Sequence, residues 1–230
     1  MDIGEIVSDA IKYPSSEWKN VIILIVLFII MWALNAVTGI IGFIVVPLIA
    51  GYIFRIVKWS LAGAEEVPEF DEWVDLFIDG LKVCLTYIIY MIPAIIILVL
   101  TMGTVFLQLI TMSQTGALSQ FTSFDMGLYM IGSVITFLYV LVIGIPLFLI
   151  GTANMAYYDG EFSAAFSFSE LLEKVSTIGY VDFIIWYIVM IVMGFVAAFI
   201  GGITIIGWIV TLPYYYMFIG RSLALFFLSE

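Results

Sequence analysis

The chain has 230 residues, 64% of them hydrophobic and 11% charged, with a mean hydropathy of +1.23. A soluble domain carries about 25% charged residues, so soluble enzymes, nucleic-acid binders and disordered chains are excluded. The balance of 7 Lys+Arg against 18 Asp+Glu also argues against nucleic acid or an anionic lipid surface as partner.

The Met1 end carries Asp2, Glu5 and Asp9 where a signal peptide needs positive charge, so the first span is expected to be retained. Ile3, Ile6, Val7, Ala10 and Ile11 recur at helical spacing opposite Asp2, Glu5, Asp9 and Lys12, which predicts an interfacial amphipathic helix. Two apolar spans follow, 18–34 and 38–59, each long enough to cross a hydrocarbon core of roughly 30 Å. A second amphipathic stripe, Phe70, Trp73, Val74, Phe77 and Leu81, precedes a third span at 81–108. A polar outer connection, 111–126, leads into span four at 127–153. The third stripe, Phe168, Leu171, Leu172 and Val175, precedes spans five (180–200) and six (203–228). The connections at 35–39 and Gly201-Gly202 are so short that their flanking spans are expected to be antiparallel neighbours.

All seven basic residues lie on one side of this arrangement: Lys12, Lys19, Arg55, Lys58, Lys82, Lys174 and Arg221. The positive-inside rule then places both termini in the cytoplasm of a multi-pass cell-membrane protein.

The three two-span units resemble one another, over approximately 1–59, 69–158 and 161–228 of a single membrane domain 1–230. Asp9-Ala10-Ile11-Lys12 parallels Asp79-Gly80-Leu81-Lys82, and Glu170-Leu171-Leu172-Glu173-Lys174 follows with one extra residue. In the second helix of each unit a proline precedes a polar residue by eight: Pro47 and Arg55, Pro146 and Asn154, Pro213 and Arg221. Ile40-Ile41-Gly42-Phe43-Ile44-Val45 also resembles Ile205-Ile206-Gly207-Trp208-Ile209-Val210. Two-span units return the chain to its starting side, so their copies are related by an axis along the membrane normal. The expected fold is an all-α integral membrane protein: six transmembrane helices as three hairpins in a pseudo-threefold bundle, each preceded by a cytoplasmic amphipathic helix.

The candidate structural or pathway residues are Pro47, Arg55, Pro146, Asn154, Pro213 and Arg221. Intramembrane prolines kink helices; three equivalent ones are either structural bends or hinges around a central path. Arg55 and Arg221 are expected to dock the cytoplasmic segments, through acids such as Glu65, Glu66 or Asp159. Thr101, Thr104, Gln108 and Thr111 share one face of span three, where a threonine usually bonds its own backbone. Gly194, Gly201 and Gly202 form a small-residue track for close helix contact. The stretch 65–79 holds seven acids; it either packs its Phe/Trp stripe inward and turns Asp71, Glu72, Asp75 and Asp79 toward a cation or a basic protein, or presents them as a solvated, solubilising face.

No span carries a charge near its middle, which pumps and most ion-coupled carriers need. The chain has no histidine, and neither a Gly-x-Ser-x-Gly elbow nor a P-loop occurs. No catalysis, cofactor or metal is expected.

Gly51-Tyr52-Ile53-Phe54-Arg55, Pro68-Glu69-Phe70-Asp71-Glu72-Trp73 and Leu76-Phe77-Ile78-Asp79-Gly80-Leu81-Lys82 together resemble a prokaryotic, largely archaeal membrane family, domain of unknown function 4013. The resemblance implies a six-span protein of a prokaryotic plasma membrane and supplies no catalytic residues. Two functions are compatible with these features. One is a non-enzymatic scaffold or module binding a partner or membrane lipid; the other is a facilitative channel or transporter for a small solute along the pseudo-threefold axis.

Overall fold

The computed structural model describes residues 2–115, 123–203 and 207–229, and for 104, 105, 108, 109, 111–115 and 123–126 it describes the backbone. The expectations for Thr104, Gln108 and Thr111, for the middle of the 111–126 connection and for Ile205-Ile206 lie outside the described side chains or residues. Among those described, the elements are helices: α1 (Ile3–Lys12), α2 (Trp18–Thr38), α3 (Val46–Leu61), α4 (Trp73–Thr115), α5 (Ser123–Tyr139), α6 (Ile145–Tyr157), α7 (Phe168–Ile178), α8 (Tyr180–Ile203) and α9 (Gly207–Leu228). Six helical stretches are long and apolar enough to cross a membrane: Trp18–Thr38, Ile41–Leu61, Trp73–Gly103, Gly127–Tyr157, Tyr180–Ile203 and Gly207–Leu228.

The chain forms two compact units, Met1–Thr86 with Leu149–Glu230, and Tyr87–Phe148. In the larger unit α9 packs against α8, α3, α1 and α2. The spans of α3 and α9 are each 50% buried, against 11% for α8, so α3 and α9 form the interior of that unit. Its core joins Val21, Leu24, Ile49, Tyr52, Ile56, Leu76 and Met217. On α8, fully buried Trp186 stacks on Phe226 at 4.7 Å and donates its Nε1–H to Ser222 Oγ at 2.8 Å. That bond satisfies the one polar group an indole brings into an apolar core. In the smaller unit Tyr139 donates to the Tyr90 carbonyl at 2.8 Å, and Tyr87 meets Phe148 edge-on at 5.3 Å. A Cβ added at Gly132 would fall on Thr101, and Thr101 Oγ1 bonds the Ile97 carbonyl at 2.8 Å, the expected backbone use.

The three segments before the apolar pairs do not fold alike. α1 is closed by a 3-10 turn at Tyr13–Ser16 containing Pro14, and α7 ends at Gly179, whose φ of 113° no L side chain adopts easily. The second segment has neither breaker between Trp73 and Thr86, so it is no separate amphipathic helix: it is the first turns of α4, a helix of 43 residues. At 1.5 Å per residue it is about 65 Å long, roughly twice a hydrocarbon core. Its inward line also differs from the expected stripe. Leu76, Gly80 and Val83 are buried, whereas Trp73, Val74 and Leu81 are exposed; of the stripe, Phe70 packs, stacked on Tyr52 at 3.6 Å. Glycine at position 80 is what moves the line. A Cβ there would fall on the Pro47 carbonyl, and one at Gly51 on the Leu76 carbonyl, so α3 and α4 touch backbone to backbone.

The three matched prolines, all buried, are not equivalent bends. Pro47 stands at the start of α3, after a 3-10 turn at Ile41–Val45, where its missing N–H costs nothing. Pro146 follows a π turn at Val140–Gly144, and Pro213 lies within α9. One sequence mark is thus accommodated by three backbone solutions. The small-residue track is likewise partial: a Cβ at Gly194 would meet Tyr215 and one at Gly201 would meet Thr211, but Gly202 faces open space.

Candidate functional site

The side chains eight residues beyond the prolines converge on the segments that precede the apolar pairs. Arg55 Nη1 donates to the carbonyls of Glu69 at 3.2 Å and Asp71 at 3.1 Å and to the Asp71 carboxylate; Nη2 reaches Glu72 at 3.5 Å. Asn154 Nδ2 donates to the Ala164 carbonyl at 2.9 Å and to Glu170 at 3.4 Å. Arg221 Nε donates to Asp9 at 2.8 Å and its Nη1 to the Ala64 carbonyl at 2.7 Å, while its guanidinium lies 4.9 Å from the Tyr13 ring centroid. Each therefore holds the segment before the next apolar pair, and the last holds the first. The partners differ from those expected of Glu65, Glu66 and Asp159. Arg55 takes Asp71 and Glu72, where the chain lies against α3 with the Pro68 carbonyl held by Tyr52. Asp159 instead pairs with Lys58 at 2.7 Å, and that ammonium holds its carboxyl below the usual carboxylate range.

A second set of contacts adds to Arg55 and Arg221 three donors that the repeat marks do not pick out, Tyr13, Asn20 and Tyr52. Between α3 and α4 the chain runs through 64–71 without regular structure, and side chains from four helices or turns cap its carbonyls. Arg221 takes Ala64, Tyr13 takes Glu66 at 3.1 Å, and Asn20 (3.1 Å) and Tyr52 (2.9 Å) share Pro68. Arg55 takes Glu69 and Asp71. A buried carbonyl left unbonded costs about 1–3 kcal/mol, so these bonds fix which way the segment faces. The carbonyls of Ala64, Glu66 and Pro68 are held against the helices, and Glu65, Glu66, Glu69, Asp71 and Glu72 are left exposed. The one legible signal was Asn20, a polar residue, buried to 2% exposure, in the first turn of an apolar span. Burial pushes the Tyr13 phenol up to about 12, against the opposing pull of Arg221.

Lys82 completes the charged layer. Its Nζ bonds Asp79 at 3.0 Å and the Gly160 carbonyl at 3.1 Å, beside the tight turn where Asp159 and Gly160 take φ of 54° and 86°. Of the four acids expected to face a partner, Asp71, Glu72 and Asp79 are therefore engaged in ion pairs within the protein; Asp75 is exposed. Asp79 lies one turn before Lys82 on α4, and Asp71 and Glu72 lie where the chain passes Arg55 of α3. Three carboxylates of the segment, Glu65, Glu66 and Glu69, form no ion pair among the described residues.

Those three line a cleft of about 430 Å³ with Ser16, Glu17, Lys19, Asn20 and Val67. A neighbouring cleft of about 730 Å³ runs past Asp2, Glu5, Asp9, Lys12 and Arg221 and shares Ser16 and Glu65. Among the described residues no group of three or more His, Cys, Asp or Glu is set to hold a metal ion.

A family model, Protein of unknown function (DUF4013), matches residues 34–206. The chain belongs to this family. The matched region covers the Arg55 and Asn154 contacts and the whole 64–71 segment, whereas Asp9, Tyr13, Asn20 and Arg221 lie outside it. No curated protein and no solved structure matches the chain.

Proposed function

We propose that this DUF4013 member is a non-enzymatic scaffold of a prokaryotic cell membrane, with both termini cytoplasmic, whose acidic cytoplasmic layer receives a cationic partner. The basic residues on one side of the spans support this orientation. Three hairpins around a pseudo-threefold axis are the architecture most consistent with the matched marks, and the cyclic order of the Arg55, Asn154 and Arg221 contacts fits it.

The observation that carries the reading is how those three side chains are used. Each is taken up in fastening the charged layer, through backbone carbonyls and carboxylates alike, rather than turned toward a path through the spans. The buried prolines fit the same reading. Unlike local geometries at Pro47, Pro146 and Pro213 favour structural accommodation over three coordinated hinges.

The test is solvent access near the middle of the bilayer. Single cysteines replace Pro47, Pro146 and Pro213 in a Cys84→Ser background, in liposomes, and are exposed to a small membrane-impermeant thiol reagent. Protection at all three, with a cysteine at Glu66 labelled, supports a scaffold. Labelling at two or more would reveal an aqueous path and replace this reading with a facilitative channel or transporter.

A further inference from the structure

We infer that the cleft between the start of α2 and the 64–69 segment is a binding site for an alkylammonium group, the head of a lysine side chain or of a free polyamine. The inference rests on the acidic layer facing water, as the scaffold reading has it, but on none of its claims about transport.

The decisive atom is Asn20 Oδ1. Asn20 lines the cleft, is 2% exposed, and its Oδ1 has no hydrogen-bond partner among the described residues. The amide cannot rotate to hide that oxygen, because Nδ2 must stay on the Pro68 carbonyl; a flipped amide would set oxygen against oxygen. Tyr52 bonds the same carbonyl and holds it in place. A buried acceptor without a partner is costly, and a donor entering the cleft would relieve that cost. Around it stand further acceptors, Glu17, Glu65, Glu66 and Glu69, none of them in an ion pair among the described residues.

The shape of the site chooses among cations. A metal ion needs several oxygens converging within about 2.6 Å, and no such group of acids exists among the described residues. The volume of about 430 Å³ is far larger than one ion or water, whose share is roughly 30 Å³. An ammonium has three diverging donors on a flexible apolar stem. One donor suits Asn20 Oδ1, the others suit spread carboxylates, and Val67 offers the stem an apolar wall. Lys19 on the same rim sets the competition that a ligand must overcome, so affinity will depend on salt.

The experiment is calorimetric titration of the full chain, in nanodiscs of uncharged lipid, with spermidine and with a short lysine-rich peptide. Either amine should bind saturably at one site, and the tighter of the two identifies the source. Glu65→Gln/Glu69→Gln should weaken binding at least tenfold. Asp75→Asn/Glu173→Gln removes the same charge outside the cleft and should weaken it less than threefold. Equal weakening by both pairs would mean a diffuse acidic surface and overturn the site. Calcium binding with no amine binding would overturn it in favour of a metal. Cysteine labelling near the middle of the bilayer would sink the scaffold reading while leaving this titration unchanged.

Discussion

Arg221 of α9 donates to Asp9 of α1 across 212 residues of sequence, at 2.8 Å, with the arginine side chain 5% exposed and the aspartate 41%. A buried guanidinium is tolerated only where its donors are satisfied. Here Asp9, the Ala64 carbonyl and the face of Tyr13 supply those partners, so one residue ties the N-terminal helix, the last span and the 64–71 segment together.

Arg221→Ala should therefore lower stability by about 2–4 kcal/mol. Arg221→Lys should recover part of it, because a lysine keeps the charge but cannot span both acceptors and the ring. Arg55→Ala should cost less, about 1–2 kcal/mol, since its carboxylate partners are 60% and 67% exposed and screened by water. Thermal melting of the three variants in detergent ranks them. An Arg55 effect equal to or larger than that of Arg221 would contradict this assignment.

Gly51→Ala and Gly80→Ala should each cost roughly 3 kcal/mol or more, above the usual range for overpacking, because the added carbon meets backbone, which cannot turn aside. Gly202→Ala, with open space around it, should change stability by less than about 0.5 kcal/mol. The comparison is read from detergent melting curves, and an unaffected Gly80→Ala would exclude the backbone contact between α3 and α4.

Tyr13 makes a pH prediction. Its phenol is raised from 10.0 to about 12, mainly by burial. A phenol raised in the fold contributes stability that is fully present below pH 10 and is lost as pH rises toward 12, at up to about 1.4 kcal/mol per pH unit. Tyr13→Phe removes that titration together with the bond to Glu66. The variant should be less stable than the natural chain at pH 8, by about 1 kcal/mol, and the gap should close by pH 11. A gap constant across that range would show that Tyr13 does not titrate with folding.

Asn154→Leu should release α7 while leaving the far side of the larger unit intact. It removes the donor to the Ala164 carbonyl and to Glu170, at a cost of about 1–3 kcal/mol. Hydrogen exchange should rise in 162–178 and stay unchanged around Tyr13 and Ala64. A uniform rise would mean that the three contacts melt as one.

The spacing of proline and polar residue picked out the three fastening side chains, since i and i+8 share a helix whatever surrounds it. Their partners were not legible. Glu65, Glu66 and Asp159 lie near Arg55 and Arg221 in sequence or in the matched units, yet Arg55 reaches past Pro68 to Asp71 and Arg221 returns to Asp9. The continuity of α4 was present in the sequence as the lack of any proline between Trp73 and Thr86. The resemblance of Asp79-Gly80-Leu81-Lys82 to Asp9-Ala10-Ile11-Lys12 obscured it, because the break after Lys12 comes from Pro14, which the second copy lacks.

By itself the sequence determined the number of apolar spans, the scarcity of basic residues and the excess of acid at 65–79. All of these follow from composition and local periodicity, which the bilayer reads residue by residue. Only the tertiary structure decided which acids are consumed within the protein and which face outward. That outcome depends on where the carbonyls of 64–71 find donors, and the donors come from Tyr13, Asn20, Tyr52, Arg55 and Arg221, brought together only when the helices pack.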